Sequence, residues 1–155
     1  MKKYNQLIKK AKFFFDSNQF EDAHNCLLDI LKRFKLDLKI KSNLYLLLAD
    51  INKKLNNFKN SNNNFLDYLE INPNDLKILN SIANNYSIMG QYKNAEKYYL
   101  KAIALNKDFV SAIINLAILY DNLGKKSEAL FYYKKAWEDQ RIFDLFKEQK
   151  GLHFD

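Results

Sequence analysis

Few residues in this 155-residue chain could do catalytic chemistry. It holds one cysteine, Cys26, and two histidines, His24 and His153. His24 and Cys26 are two positions apart, and a helix turns about 100° per residue, so their side chains point to nearly opposite sides. They cannot ligate one metal together, or act as nucleophile and base, without a partner from elsewhere. The three glycines, Gly90, Gly124 and Gly151, are too scattered to form a phosphate cradle. No enzymatic activity, no metal site and no cofactor are expected. Amide and ammonium groups, by contrast, are abundant: 20 asparagines and 25 Lys or Arg. An amide carries both donor and acceptor, which suits gripping the backbone of an extended peptide.

The elements that must position these groups repeat. Gly90 and Gly124 lie 34 residues apart (124 − 90), and the same interval separates Ala83 from Ala117, Tyr86 from Tyr120, Ala95 from Ala129, Tyr99 from Tyr133 and Ala102 from Ala136. A fixed period near 34 marks an array of helix pairs. Two weaker copies precede these. In one, Asn56 stands where glycine would end the first helix, with Ala49 and Phe65 in place; Asn is the usual substitute for Gly in a left-handed cap. Ser61 and Asn52 depart from the Ala and aromatic of the later copies, and the run Asn60, Ser61, Asn62, Asn63, Asn64 predicts the poorest helix in the chain. Pro73 then stops the copy, and Asp75 is a suitable N-cap for the next. The earliest copy carries Ala11, Phe14, Asn18, Phe20, Ala23 and Leu27. Asn18 and Asn56 are four residues further apart than the period, so one helix near residues 36–40 is expected to be a turn longer.

This order of small and aromatic residues resembles the tetratricopeptide repeat, from about residue 4 to 140. The resemblance implies an all-α fold: a right-handed superhelical array of antiparallel helix pairs, an α-solenoid of about four repeats (4–37, 42–75, 76–109 and 110–143) in a single domain. Beyond Trp137 the pattern fails. Ile142, Phe143, Leu145 and Phe146 lie on an amphipathic pattern that suits a capping segment over about 141–155. Ala83 and Ala95 let the two helices of a pair approach, with Tyr86 and Tyr99 filling the space around them, and the Tyr and Phe stripe is expected to be core.

The net charge of +7 is uneven: residues 1–60 hold 13 Lys or Arg against 6 Asp or Glu, and residues 61–155 hold 12 against 12. A basic end attracts anionic partners over about 8 to 10 Å. No arginine cluster or aromatic-basic alternation accompanies these lysines, so nucleic acid is disfavoured as a partner. Lys9, Lys10 and Lys12 interrupt the first apolar residues before a signal-peptide core forms, and no apolar run approaches the roughly 20 residues of a membrane span. A cytoplasmic protein without a membrane span is expected.

The resemblance further implies that the first helix of each pair lines a concave groove. That puts Lys12 and Asp16 there from the first copy, Asn43, Asp50 and Lys54 from the second, Lys77, Asn80 and Asn84 from the third, and Ile114, Ile118 and Asn122 from the fourth. The subtype that clamps the acidic tails of chaperones is disfavoured: a clamp starting in the second copy would use Leu46, Asp50, Ser81, Ser111 and Asn115, and one starting in the first would use Ile8, Lys12, Leu47, Lys77 and Ser81. Neither set combines the required cations and amides. Asn80, Asn84 and Asn115 partly match the asparagine ladders attached to sugar transferases, without recurring in every repeat.

The expected function is a scaffold that binds a protein or peptide segment in this groove. The alternatives are the recruiting region of a larger glycosyl- or sulfotransferase, and nucleic-acid binding through the basic end.

Overall fold

The structure, a computed structural model, describes residues 3–137. The expected cap at 141–155 lies outside the described residues. What is described is all-α, with eight helices: α1 (Lys3–Asp16), α2 (Phe20–Arg33), α3 (Leu38–Lys54), α4 (Phe58–Ile71), α5 (Leu76–Ile88), α6 (Tyr92–Leu105), α7 (Val110–Asn122) and α8 (Lys126–Trp137). The chain divides into two compact units between Ile78 and Leu79, inside α5.

One backbone device makes the turn inside every pair. Asn18, Asn56, Gly90 and Gly124 all have positive φ, 59°, 56°, 71° and 72°. In each case the next amide donates to a carbonyl five residues back: Gln19 to Phe14, Asn57 to Asn52, Gln91 to Tyr86 and Lys125 to Tyr120. This closure of the last helical turn needs a left-handed residue, which glycine adopts freely and asparagine tolerates best among the others.

The surplus turn of sequence is in α3. It has 17 residues where α5 and α7 have 13. Asp37 caps it, accepting from the Ile40 amide at 2.9 Å, and Asp75 caps α5 by accepting from the amides of Lys77 and Ile78.

In the first unit, Tyr4 and Ala11 of α1, Ala23, Leu27 and Ile30 of α2, and Leu44, Leu48 and Ile51 of α3 form one buried cluster. Helix α4 forms over the asparagine run in spite of its poor propensity. Asn57 caps it, the Asn64 amide donates to the Asn60 carbonyl, and Ser61, Asn62 and Phe65 are buried. Tertiary burial outweighs a propensity deficit of a few tenths of a kcal/mol per residue.

In the second unit the core is Leu79, Ile82 and Ala83 of α5, Ala95, Tyr99, Ala102 and Ile103 of α6, Ala112, Ile113, Leu116, Ala117, Leu119 and Tyr120 of α7, and Ala129 and Ala136 of α8. The repeat pattern does not specify which tyrosines stack. Tyr86 stacks on Tyr98 and Tyr120 on Tyr132, each pair with centroids 5.6 Å apart, while Tyr99 turns inward. Nor is every aromatic core, since Phe13, Tyr92, Phe131 and Trp137 are exposed.

Candidate functional site

All eleven side chains expected to line a groove are at least partly open to solvent. In the first unit, Lys12 is exposed on α1, and so is Asp16 one turn on. Asn43, Asp50 and Lys54 are exposed on α3 at spacings of seven and four, which puts them on one face. Desolvation holds the Asp50 carboxyl above the usual range, opposed by the positive charges of Lys53 and Lys54. Lys77 is exposed in the first turn of α5.

The second unit brings several of the rest together. On α5, Asn80 and Asn84 are one turn apart, and Asn115 of α7 spans both: its Nδ2 donates to Asn80 Oδ1 and to Asn84 Oδ1, each at 3.1 Å. Tyr99 of α6 donates its hydroxyl to the same Asn84 oxygen at 2.5 Å. Burial pushes the Tyr99 hydroxyl up to about 12, so it stays protonated, and a donor, at any ordinary pH. Three helices thus converge on one amide oxygen. The oxygens of both groove asparagines are engaged within the unit.

Beside this cluster lies an open hollow of about 330 Å³, lined by Asn84, Ser87, Ile88, Tyr99, Asn115, Ile118 and Leu119. Two expected residues, Asn84 and Ile118, belong to it. Ile114 is half-buried and Asn122 exposed, both on α7. The sequence reading missed Tyr99, Ser87, Ile88 and Leu119. Ile88 carried a signal: it lies four residues after Asn84, on the same helix face, and is 62% exposed although strongly apolar. Tyr99 carried none, because a stripe of aromatics at helical spacing does not reveal which hydroxyl meets an amide.

The cluster belongs to one junction only. One period after Asn80 and Asn84 stand Ile114 and Ile118, and one period before Asn115 stands Ser81. Among the described residues no group of three or more His, Cys, Asp or Glu could hold a metal ion, and no helix is long and apolar enough to cross a membrane.

The family model described as Tetratricopeptide repeat matches residues 42–75 and 76–109, and a second model of the same description matches 98–131. The chain belongs to the tetratricopeptide repeat family. As a tetratricopeptide repeat protein it is a protein-interaction scaffold, and its all-helical array is that of the family. No curated protein matches it in sequence. Among solved structures it is similar to MamA, with a TM-score of 0.76 at 22% identity over 92% of this chain and 81% of that one. YrrB, described as a TPR protein with an unusual peptide-binding site, gives 0.76 at 16% identity over 97% and 75%. A tetratricopeptide repeat protein from Parabacteroides merdae gives 0.77 at 21% identity over 87% and 52%. At these identities the likeness is one of fold.

Proposed function

We propose that this tetratricopeptide repeat chain is an adaptor that binds a segment of a partner protein on the exposed faces of α5 and α7, where Asn80, Asn84, Ile114, Ile118 and Asn122 lie. The observation that carries this is the hollow beside the Asn80–Asn84–Asn115 cluster: apolar side chains, Ile88 foremost, stand open next to fixed amides. Open apolar surface rimmed by polar groups is a common mark of an interaction site. The peptide-binding site described for YrrB supports the reading for a fold of this kind. Lys12, Asn43, Asp50, Lys54 and Lys77, all in the first unit, are proposed separately as polar contacts for a protein partner.

The test is site-specific photocrosslinking. A photoreactive residue replaces Asn122 or Ile114 in one set of variants, and Lys97 or Lys101, exposed on α6, in another. Each variant, checked for wild-type helicity, is irradiated in native lysate at physiological salt. The expected result is one protein adduct shared by the α7 positions and missing from those of α6. Equal adducts from both sets, or adducts from α6 alone, would refute the proposed face.

A further inference from the structure

The charged groups of the second unit are sorted by helix. Its outer helices, α6 and α8, carry Lys93, Lys97, Lys101, Lys126, Lys134 and Lys135 against Glu96 and Glu128. Going beyond the adaptor reading and independently of it, we infer that the outer face of α6 and α8 rests on an anionic phospholipid bilayer, with its lysines at the headgroups and Leu100 and Phe131 dipping between them.

Helical periodicity gathers these groups on one side. Lys93, Lys97, Leu100, Lys101 and Ala104 are all exposed and fall within an arc of about 100° on α6, opposite the buried Ala95, Tyr99 and Ala102. Among the described residues none of the three lysines is in an ion pair. One period on, α8 places Phe131, Lys134 and Lys135 where α6 has Lys97, Leu100 and Lys101. Phe131 and Lys134 are exposed and Lys135 is half-buried. The equivalent stacks of Tyr86 on Tyr98 and of Tyr120 on Tyr132 seat the two helices alike on α5 and α7, so both arcs face outward on the same side. The two glutamates stand at the margins of the arcs, and Glu96 is engaged by the Tyr120 hydroxyl.

The mixture of groups selects the occupant. Lysine is depleted from protein interfaces, whose centres are apolar, whereas here Leu100 and Phe131, the latter 62% exposed, are set among lysines. Nucleic-acid recognition favours the planar guanidinium fork, and neither helix holds an arginine. Leu100 and Phe131 would gain nothing against a phosphate backbone. A fluid headgroup layer, by contrast, demands no fixed spacing of its cations. Each lysine near an anionic leaflet raises partition roughly fivefold. Lysine stems lie along the apolar boundary while their ammonium groups stay at the phosphates, and a leucine and a phenylalanine gain from burial beneath them. Tyr99, which lines the hollow, is on the buried side of α6, so a bilayer on the outer arc leaves the α5–α7 face open to a protein.

The test is flotation of the whole chain with vesicles of phosphatidylcholine containing about 30% phosphatidylserine, and with vesicles of phosphatidylcholine alone, at about 0.1 M and about 0.5 M salt. Binding to the anionic vesicles, none to the neutral ones and a loss of tenfold or more at the higher salt are expected. The triple variant Lys93→Glu, Lys97→Glu, Lys101→Glu should bind at least tenfold more weakly. A control triple with the same change of charge, Lys32→Glu, Lys35→Glu, Lys39→Glu, at exposed positions of the first unit, should lose less than threefold. Leu100→Ser with Phe131→Ser leaves the charge unchanged and should weaken binding at least threefold. Each variant is checked for wild-type helicity. Binding to neither vesicle, equal losses in the two lysine triples, or no loss in the serine double variant would each overturn the inference. So would single-stranded RNA bound by the parent and released by the Lys93, Lys97, Lys101 triple while the vesicles go unbound, since the face would then serve nucleic acid. Photocrosslinking at Asn122 and Ile114 reads a different face, so the adaptor reading stands or falls separately.

Discussion

Tyr120 of α7 donates its hydroxyl hydrogen to Glu96 Oε1 of α6 at 2.5 Å, joining two repeats across 24 positions of sequence. The phenol is buried, and its ionisation is pushed well up by desolvation and by the bond to the carboxylate. A hydrogen bond to a charged acceptor contributes about 1.5 to 3 kcal/mol, and Glu96 is half-exposed, so the lower end applies. Tyr120→Phe is expected to cost about 1.5 kcal/mol in urea denaturation. Glu96→Gln should cost less, because the amide still accepts. Additive losses in the Tyr120→Phe, Glu96→Ala double mutant would show that the pair is not coupled.

The Asn84 side chain serves the fold as well as the proposed partner. Asn84→Ala removes the acceptor of the buried Tyr99 hydroxyl and one of the two acceptors of Asn115. An unsatisfied buried donor costs about 1 to 3 kcal/mol, so a loss in that range is expected. Adding Tyr99→Phe should recover part of it, since the orphaned hydroxyl is then gone. Thermal melts of the two single variants and the double variant check this; a double variant worse than the sum contradicts the assignment.

Alkaline pH should loosen the second unit. Tyr99 titrates near 12 in the folded chain against 10.0 for an ordinary tyrosine, so folding favours its protonated form. The stabilisation is complete below pH 10 and is lost as pH rises from 10 towards 12, with a slope of up to about 1.4 kcal/mol per pH unit for one such group. Denaturant midpoints measured from pH 8 to 12 should be level at first and then fall. Tyr99→Phe should fall less steeply over the upper part of the range, and an identical slope would remove Tyr99 from the account.

Sequence periodicity carried the turns, the small residues at helix contacts and the longer α3, because each is a local requirement with few permitted residue types. Ala83 and Ala95 are fully buried, as close helix contact demands. It did not carry the aromatic partners. Tyr98 and Tyr99 are neighbours on one helix, and the 100° between them decides which stacks on Tyr86 and which reaches Asn84. The asparagine cluster was half legible: Asn80 and Asn84 share a helix face, but the donor that fixes them arrives from α7, 31 and 35 positions later. A polar bond across that separation leaves no period in the sequence, whereas an apolar face does.

The four left-handed turn residues differ in chemistry, and their substitution should separate conformational cost from packing. An added Cβ at Gly90 meets nothing within 4 Å, so Gly90→Ala pays only for the backbone at φ 71°. That is about 1 to 2 kcal/mol for a residue with a Cβ in the left-handed region. Asn56 already carries a Cβ at φ 56°, with its cost reduced by the tolerance of asparagine for this conformation. Asn56→Gly should therefore be neutral or stabilising by a few tenths of a kcal/mol, Asn56→Ala should cost less than Gly90→Ala, and Gly90→Asn should cost least of the substitutions at Gly90. Urea midpoints of these four variants at equal m-value give the ranking. If Gly90→Ala were as stable as the parent, the turn closure from Gln91 to Tyr86 would not depend on a left-handed residue, and the shared device at the four turns would lose its physical basis.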